Sequence, residues 1–341
     1  MHRYCTYFDH RFLDRGLAMI RSLRRVEPDC RISVLCLTPA CERVLSGLGE
    51  PGVTLTSLAS FERDNPDLLA IKESRCLRDY YFTLSGCVVA AALEAAGPDE
   101  IVTYLDADLF FYASPVPLFE SMAGASVGLI GHRFHWWAKR LEKYGRFNVG
   151  WVSFRADATG QEAAQWWRSR CIEWCYGFVD GDRFADQKYL EHMAANFPKV
   201  VEIRHPGANL GPWNICRHTI APRADGGFTV DANVPLIFFH FSGLREVEPG
   251  VFLCSRPSYL GPFSKVVRSG LYATYVALLL KMRKEIGGIP TDPSPPLSVE
   301  VRPSLTERVT APTVRMASRW AGHYVGEARA TRRKGQPAPV T

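Results

Sequence analysis

Residues 101–111 read Ile-Val-Thr-Tyr-Leu-Asp-Ala-Asp-Leu-Phe-Phe. The run from Ile101 to Leu105 is wholly β-prone and lacks a polar face, the pattern of a strand covered on both sides. It delivers two carboxylates, Asp106 and Asp108, to its carboxyl end. Ligands of open α/β sheets bind at that end of the strands. Two neighbouring carboxylates repel unless a cation or proton lies between them, so a divalent metal accounts for the pair. An Asp turn in which each side chain caps a local backbone N–H accounts for it too.

Upstream, apolar runs alternate with helical spacing. Residues 3–9 form an aromatic run ending in an acid, and 12–25 place Leu13, Leu17, Ile20 and Leu23 on one helix face. Strands are expected at 31–37 and 53–58, and helices at 39–48, 69–81 and 86–96. This rhythm predicts an α/β fold with a mixed, mostly parallel sheet flanked by helices. Downstream the pattern is less regular: strands at 125–131, 148–155 and 234–239, helices at 160–176 and 184–193, and a long helix over 263–286 with a broad apolar face. Residues 290–296 have the composition of a linker. The expected organisation is a catalytic domain over 1–262, a helical appendage over 263–289, and a proline-containing linker with a basic, disordered tail over 290–341.

With 341 residues, 47% hydrophobic and 22% charged, the chain is too rich in core-forming residues to be disordered. The formal charge of +6 resides in the tail. Residues 302–341 carry eight basic and two acidic residues, so the rest is electroneutral and a nucleic-acid partner is not expected. The ten cysteines include no Cys-x-x-Cys and no zinc-finger spacing. With neither a signal-peptide pattern nor a run of about 18 apolar residues, a cytoplasmic protein with reduced thiols is expected. Walker A and Gly-x-Gly-x-x-Gly phosphate loops are missing, as is the Gly-x-Ser-x-Gly of serine hydrolases.

A second signal is residues 236–245, Leu-Ile-Phe-Phe-His-Phe-Ser-Gly-Leu-Arg, where another apolar strand ends in His240. Alone it reads as a hydrogen-bonded structural histidine. With the acidic pair it completes a two-oxygen, one-imidazole set, which suits Mn²⁺ better than Mg²⁺. A dehalogenase-type phosphatase also places Asp-x-Asp after a strand, but here the pair lies far from the N-terminus and is followed by Leu109-Phe110-Phe111.

Over roughly residues 4–245 the ordered motifs resemble the metal-dependent GT-A nucleotide-sugar glycosyltransferases, especially glycosyltransferase family 8. The opening Tyr4-Cys-Thr-Tyr-Phe-Asp9 is similar to that family's first strand and acidic turn, which implies that Thr6, Tyr7 and Asp9 flank the nucleotide. Asp106-Ala107-Asp108 matches its metal motif, implying Asp106 and Asp108, with His240, as metal ligands and Asp106 also near the nucleotide. Phe147-Asn148-Val149-Gly150 resembles the strand whose Asn faces the donor sugar, and Asp186-Gln187 the pair beside the anomeric carbon. Trp213-Asn214 and His240-Phe241-Ser242-Gly243 resemble its later segments, placing Asn214 and Gly243 at the donor. The family's motif continues to a Lys six residues after the His. Here Glu246 stands there, and Arg245 is the expected diphosphate cation, since a guanidinium fork suits phosphate oxygens.

The resemblance implies a Mn²⁺ (or Mg²⁺) glycosyltransferase that moves a sugar from a UDP-sugar or related donor to a glycan or glycolipid, with retention of configuration. Asn148 and Gln187 offer neutral hydrogen bonds to sugar hydroxyls, while Asp186 could orient the sugar, act as base or act as nucleophile. Lys72 and Arg75, expected one helical turn apart, read either as phosphate or sugar contacts or as a solvated helix face. The aromatics of 132–144 suggest an acceptor loop, and Trp166-Trp167 a core pair. A sugar-binding scaffold without turnover is the alternative. Residues 263–341 could touch an anionic membrane surface from the cytoplasmic side.

Overall fold

Seven strands join into one sheet whose inner strands, 101–105 and 127–131 among them, are buried on both faces, as a central layer between helices requires, while the edge strands at 53–57 and 200–202 are only partly covered. The computed structural model describes residues 2–248, 250–256, 258–259, 261–287 and 324–326. In chain order the strands are β1 (His2–Phe8), β2 (Arg31–Cys36), β3 (Val53–Ser57), β4 (Ile101–Leu105), β5 (Leu109–Phe111), β6 (Val127–Gly131), β7 (Phe147–Arg155), β8 (Val200–Glu202), β9 (Ile220–Pro222), β10 (Phe228–Val230), β11 (Val234–Pro235), β12 (Phe238–His240), β13 (Arg245–Glu248), β14 (Val251–Leu253) and β15 (Tyr324–Gly326). The α-helices are α1 (Leu13–Val26), α2 (Pro39–Leu48), α3 (Leu58–Asp64), α4 (Pro66–Ala70), α5 (Leu77–Glu94), α6 (Val116–Glu120), α7 (Ala158–Glu173), α8 (Tyr189–Asn196) and α9 (Ala273–Gly287).

The central order is β3-β2-β1-β4-β7-β6-β8. Every neighbour is parallel except at β7, which runs antiparallel to both β4 and β6. This is the mixed, mostly parallel sheet that the alternation predicts. Reversing one strand has a positional consequence: the start of β7 lies beside the end of β4. Leu105 pairs with Trp151, and the Asp106 N–H donates to Gly150 O at 3.1 Å. A second, two-stranded sheet joins β12 to β5 antiparallel and sets His240 opposite Leu109. The Phe241 N–H donates to Asp108 O at 3.0 Å. The two sequence signals, 132 positions apart by their numbers, thus meet through backbone pairing on both sides of the Asp-x-Asp turn.

Two expected helices, 69–81 and 86–96, are differently cut. α5 runs unbroken from Leu77 to Glu94, with Gly86 in its interior. A Cβ on Gly86 would come 2.9 Å from the Arg168 Cα, so the glycine permits the close crossing of α5 and α7 rather than starting a helix. Upstream the chain leaves the helix at Arg75, whose backbone is extended. The long helix expected at 263–286 opens with a π-helical turn over Val267–Tyr272 before α9. Tyr272 and Tyr275 bury their rings against Phe239 and Phe241. Trp167 is fully buried, as the core reading of that pair requires, and Trp166 packs partly buried beside it. The expected linker and tail over 290–341 lie outside the described residues except for 324–326, which pair as β15 with β14. Among the described residues no helix is long and apolar enough to cross a membrane.

Candidate active site

The Asp-x-Asp turn and the end of β12 place Asp106, Asp108 and His240 so that one ligand atom from each lies within 4.8 Å of the others. His240 Nε2 is 2.9 Å from Asp108 Oδ1 and 3.6 Å from Asp106 Oδ2. Its other ring nitrogen, Nδ1, is buried without a hydrogen-bond partner and lies over Gly150. A Cβ there would sit 2.8 Å from the imidazole, so only glycine lets the ring enter. The Trp213 ring meets the imidazole edge-on at 5.2 Å.

These donors fit a divalent cation: two carboxylates and an imidazole nitrogen converge on one point. Without one, a proton takes over the neutralisation. Burial disfavours charge on His240, but Asp108 and Asp106 outweigh it and raise the imidazole above its ordinary value, with Arg256 opposing. Burial pushes Asp106 up to about 6; His240 pulls against this and the Asp108 charge adds to it. Burial acts upward on Asp108 as well, yet His240 keeps that carboxyl below the usual range.

Asp186 approaches from the segment before α8. Burial pushes its carboxyl up to about 7, against hydrogen bonds from Ser85 and from the backbone N–H groups of Asp186 and Gln187, while the Asp106 charge adds to the rise. Trp167 Nε1 donates to Asp186 O at 3.0 Å. Tyr104, two residues before Asp106 and therefore on the same strand face, donates its hydroxyl to Asp106 Oδ1 at 2.9 Å. Asn148 Oδ1 accepts from the Gly150 N–H at 2.6 Å, and Gln187 Nε2 donates to Tyr144 O at 2.8 Å. Asp106, Asp108, His240, Asn148 and Asp186 are thus gathered at one end of the sheet.

Most of the other expected residues have hydrogen-bond partners within the fold. Arg75 is buried, and its guanidinium donates to Cys171 O at 2.7 Å, to Ile172 O and to Thr83 Oγ1, so it caps the last turn of α7. Lys72 Nζ donates to Glu62 Oε2 at 2.8 Å. One tight turn separates them, closed by the Arg75 N–H donating to Lys72 O, but the chain extends at Arg75 and each charge has its own local partner. Asp9 is also buried, its carboxylate accepting from the Arg11 N–H and guanidinium at 2.7–2.9 Å. Asn214 is fully enclosed, donating to His132 O and Asn209 O and accepting from the Gly211 N–H. Thr6 is buried with its hydroxyl unpartnered. Tyr7 turns its hydroxyl to Ser85 Oγ at 3.1 Å.

Arg245 opens β13 on an exposed edge. The cation whose charge bears on His240 is Arg256, which follows β14. Gly243, with φ +78°, makes the turn that lays the Arg256 side chain alongside; a Cβ there would come 2.8 Å from Arg256 Cγ. Buried Arg15, donating to Leu244 O at 3.2 Å, adds its charge near Asp108. Strand periodicity could have singled out Tyr104. Nothing local marks Ser85, Arg15 or Arg256, which reach the site only through folding.

No protein-family model matches the chain. Its structure is similar to that of the galactosyltransferase LgtC in complex with donor and acceptor sugar analogues, with 16% identity, 86% of this chain and 98% of that chain covered, and a TM-score of 0.48. For mouse xyloside xylosyltransferase 1 the figures are 13%, 71%, 98% and 0.44. In sequence it is 37% identical over 254 residues to "uncharacterized protein YfnF" of Bacillus subtilis (strain 168), spanning 72% of this chain and 82% of that protein. It is 32% identical over 258 residues to "uncharacterized protein YfnD" of the same organism, spanning 74% and 81%. At that identity and coverage, the chain belongs to the protein family of YfnF and YfnD.

Proposed function

We propose that this protein is a glycosyltransferase that moves a sugar from a nucleoside-diphosphate sugar, taken as a UDP-sugar, to a glycan or glycolipid, with Mn²⁺ at Asp106, Asp108 and His240. The observation that carries this reading is the convergence of that donor set with Asn148 and Asp186 from two other segments of the chain, Gln187 following Asp186 directly. A bound divalent metal would neutralise the diphosphate leaving group as its negative charge develops. Arg256, laid beside Gly243, supplies a second positive charge for the phosphates, with Arg245 as the other candidate. Asn148 and Gln187 hydrogen-bond sugar hydroxyls without adding charge. Asp186 would orient the sugar or act on it as base or nucleophile, and retention of configuration follows the family resemblance.

The acceptor would enter over residues 132–144. There the 78%-exposed Trp136 ring meets Trp137, and Trp137 Nε1 donates to Tyr259 O at 3.2 Å. Tyr259 in turn lies 5.9 Å from Trp213. This aromatic series leads from the surface to His240, and sugar rings stack on such faces. Contact of 263–341 with anionic lipid would bring glycolipids to this entrance; truncation at Glu300 tests it by liposome association.

Thermal-shift screening of nucleotide sugars with and without Mn²⁺ tests metal and donor together. A stabilisation by one nucleotide sugar that needs Mn²⁺ is expected, accompanied by turnover of that donor. Equal turnover by an Asp108→Ala protein would overturn the metal assignment.

A further inference from the structure

Ser85 lies in the middle of α5, fully buried, and its hydroxyl is hydrogen-bonded to Asp186 Oδ2 across 101 positions of sequence. Behind it Tyr7 Oη stands 3.1 Å from Ser85 Oγ, and the Phe82 carbonyl accepts from the same hydroxyl at 3.1 Å. Every hydroxyl has one proton and two lone pairs, which orders the protons in this group. With Asp186 ionised, Ser85 donates to the carboxylate and accepts from Tyr7. With Asp186 neutral, the carboxyl donates to Ser85, and the Ser85 proton turns to Phe82 O. No buried polar atom is stranded in either state.

We propose that Ser85, backed by Tyr7, is a positioning residue that holds the Asp186 carboxyl in one orientation towards the donor sugar in both of its protonation states. The proposal rests on the reading that Asp186 faces the sugar, and it gives Tyr7 an inward task besides flanking the nucleotide. Carboxylates in apolar surroundings swing or protonate unless donors fix them. Here the backbone N–H groups of Asp186 and Gln187 and the Trp167 indole fix the main chain and one side of the carboxyl. Ser85 is the side-chain contact that fixes Oδ2.

The test compares Ser85→Ala, Ser85→Thr, Tyr7→Phe and Asp186→Asn in the full-length protein. Steady-state turnover of the nucleotide sugar identified by thermal shift is one readout. The other is the titration of the Asp186 ¹³Cγ signal in metal-free protein, assigned by its loss in Asp186→Asn. Alanine favours helix, so Ser85→Ala keeps the fold. Its expected effects are a kcat about tenfold lower and a donor KM within about twofold of wild type. Because the bond to the charged form is the stronger one, the Asp186 midpoint rises by about one pH unit. Ser85→Thr, which keeps the hydroxyl, restores most of both, and Tyr7→Phe gives a smaller change, about threefold in kcat, in the same direction. An unchanged midpoint and kcat in Ser85→Ala would overturn the proposal. A shifted midpoint together with full activity in Asp186→Asn would support the positioning and remove Asp186 from the chemistry, which separates the two readings.

Discussion

Two regions of this molecule concentrate charge and treat it in opposite ways. Where α9 packs on α1, every acid has a fixed cation. Arg21 binds Glu50 and Glu285, and Arg283 binds Asp14 at 2.7 Å and Glu246 at 2.5 Å. At the end of β4, half-buried Asp106 and Asp108 lie beside buried Asp186, and among the described residues the charges that oppose them are His240, Arg256 and Arg15, the last of which also pairs with Asp14. The first arrangement is complete as it stands. The second leaves a deficit of positive charge that burial makes costly, and that deficit is what a cation and a diphosphate-binding guanidinium would resolve. Glu246 belongs to the first region: it stands where the resembled family has a diphosphate-binding Lys, yet its charge is already balanced by Arg283.

The most severe way to break this contrast is Asp108→Ala. Loss of one ligand and its charge should lower Mn²⁺-dependent turnover at least about a hundredfold and abolish the Mn²⁺-dependent thermal shift. Retained metal response would mean that the acidic cluster is as self-sufficient as the helix junction.

A paired substitution sharpens the assignment of the missing cation. Arg256→Ala should weaken binding of the nucleotide sugar about tenfold, and Arg245→Ala by less than about twofold, read by titration calorimetry in Mn²⁺. The reverse order would return the diphosphate role to Arg245.

A subtler difference lies in the response to pH. The Asp186 carboxyl is raised from the ordinary aspartate range to about 7 in the folded protein. The folded state therefore holds a proton that the unfolded chain has released. This contribution to stability is complete below the unfolded pKa and is lost as pH rises through about 7. Metal-free Asp186→Asn protein should accordingly lose less Tm than wild type between pH 6 and 8. An identical decline in the two proteins would show that Asp186 is ionised in the fold at neutral pH.

The smallest effect is expected at the junction. Arg283 is 36% exposed, so solvent screens its ion pairs, and Asp14 retains Arg15 at 3.3 Å. Arg283→Ala should cost about 1 kcal/mol or less in denaturant unfolding, with turnover unchanged.

The contrast also marks how far the residues speak before folding. β4 and its two acids are legible because strand burial and the Asp turn are local patterns, and the apolar run ending at His240 is legible for the same reason. The partners of Lys72 and Arg75 are not legible, because the helix expected over 69–81 breaks before Cys76 and a basic residue carries no mark of whether an acid, a carbonyl or solvent will receive it. Gly86 resembles a helix boundary by propensity, since nothing local announces that α7 will cross within van der Waals contact of it. Arg256 is invisible because its approach to His240 depends on a hairpin return and on the left-handed turn at Gly243.

Taken alone, the amino-acid order determined the alternation of strand and helix, the delivery of Asp106 and Asp108 to a strand end, and the concentration of basic charge after residue 301. Each follows from side-chain periodicity or composition over a short window. Tertiary structure alone decided that β7 runs against its neighbours and so carries Asn148 to Asp106, that β12 brings His240 to Asp108, and that Ser85 holds Asp186. Those are meetings between segments far apart in the chain, and hydrogen bonds and charge interactions act over a few ångströms of space, whatever the separation in sequence.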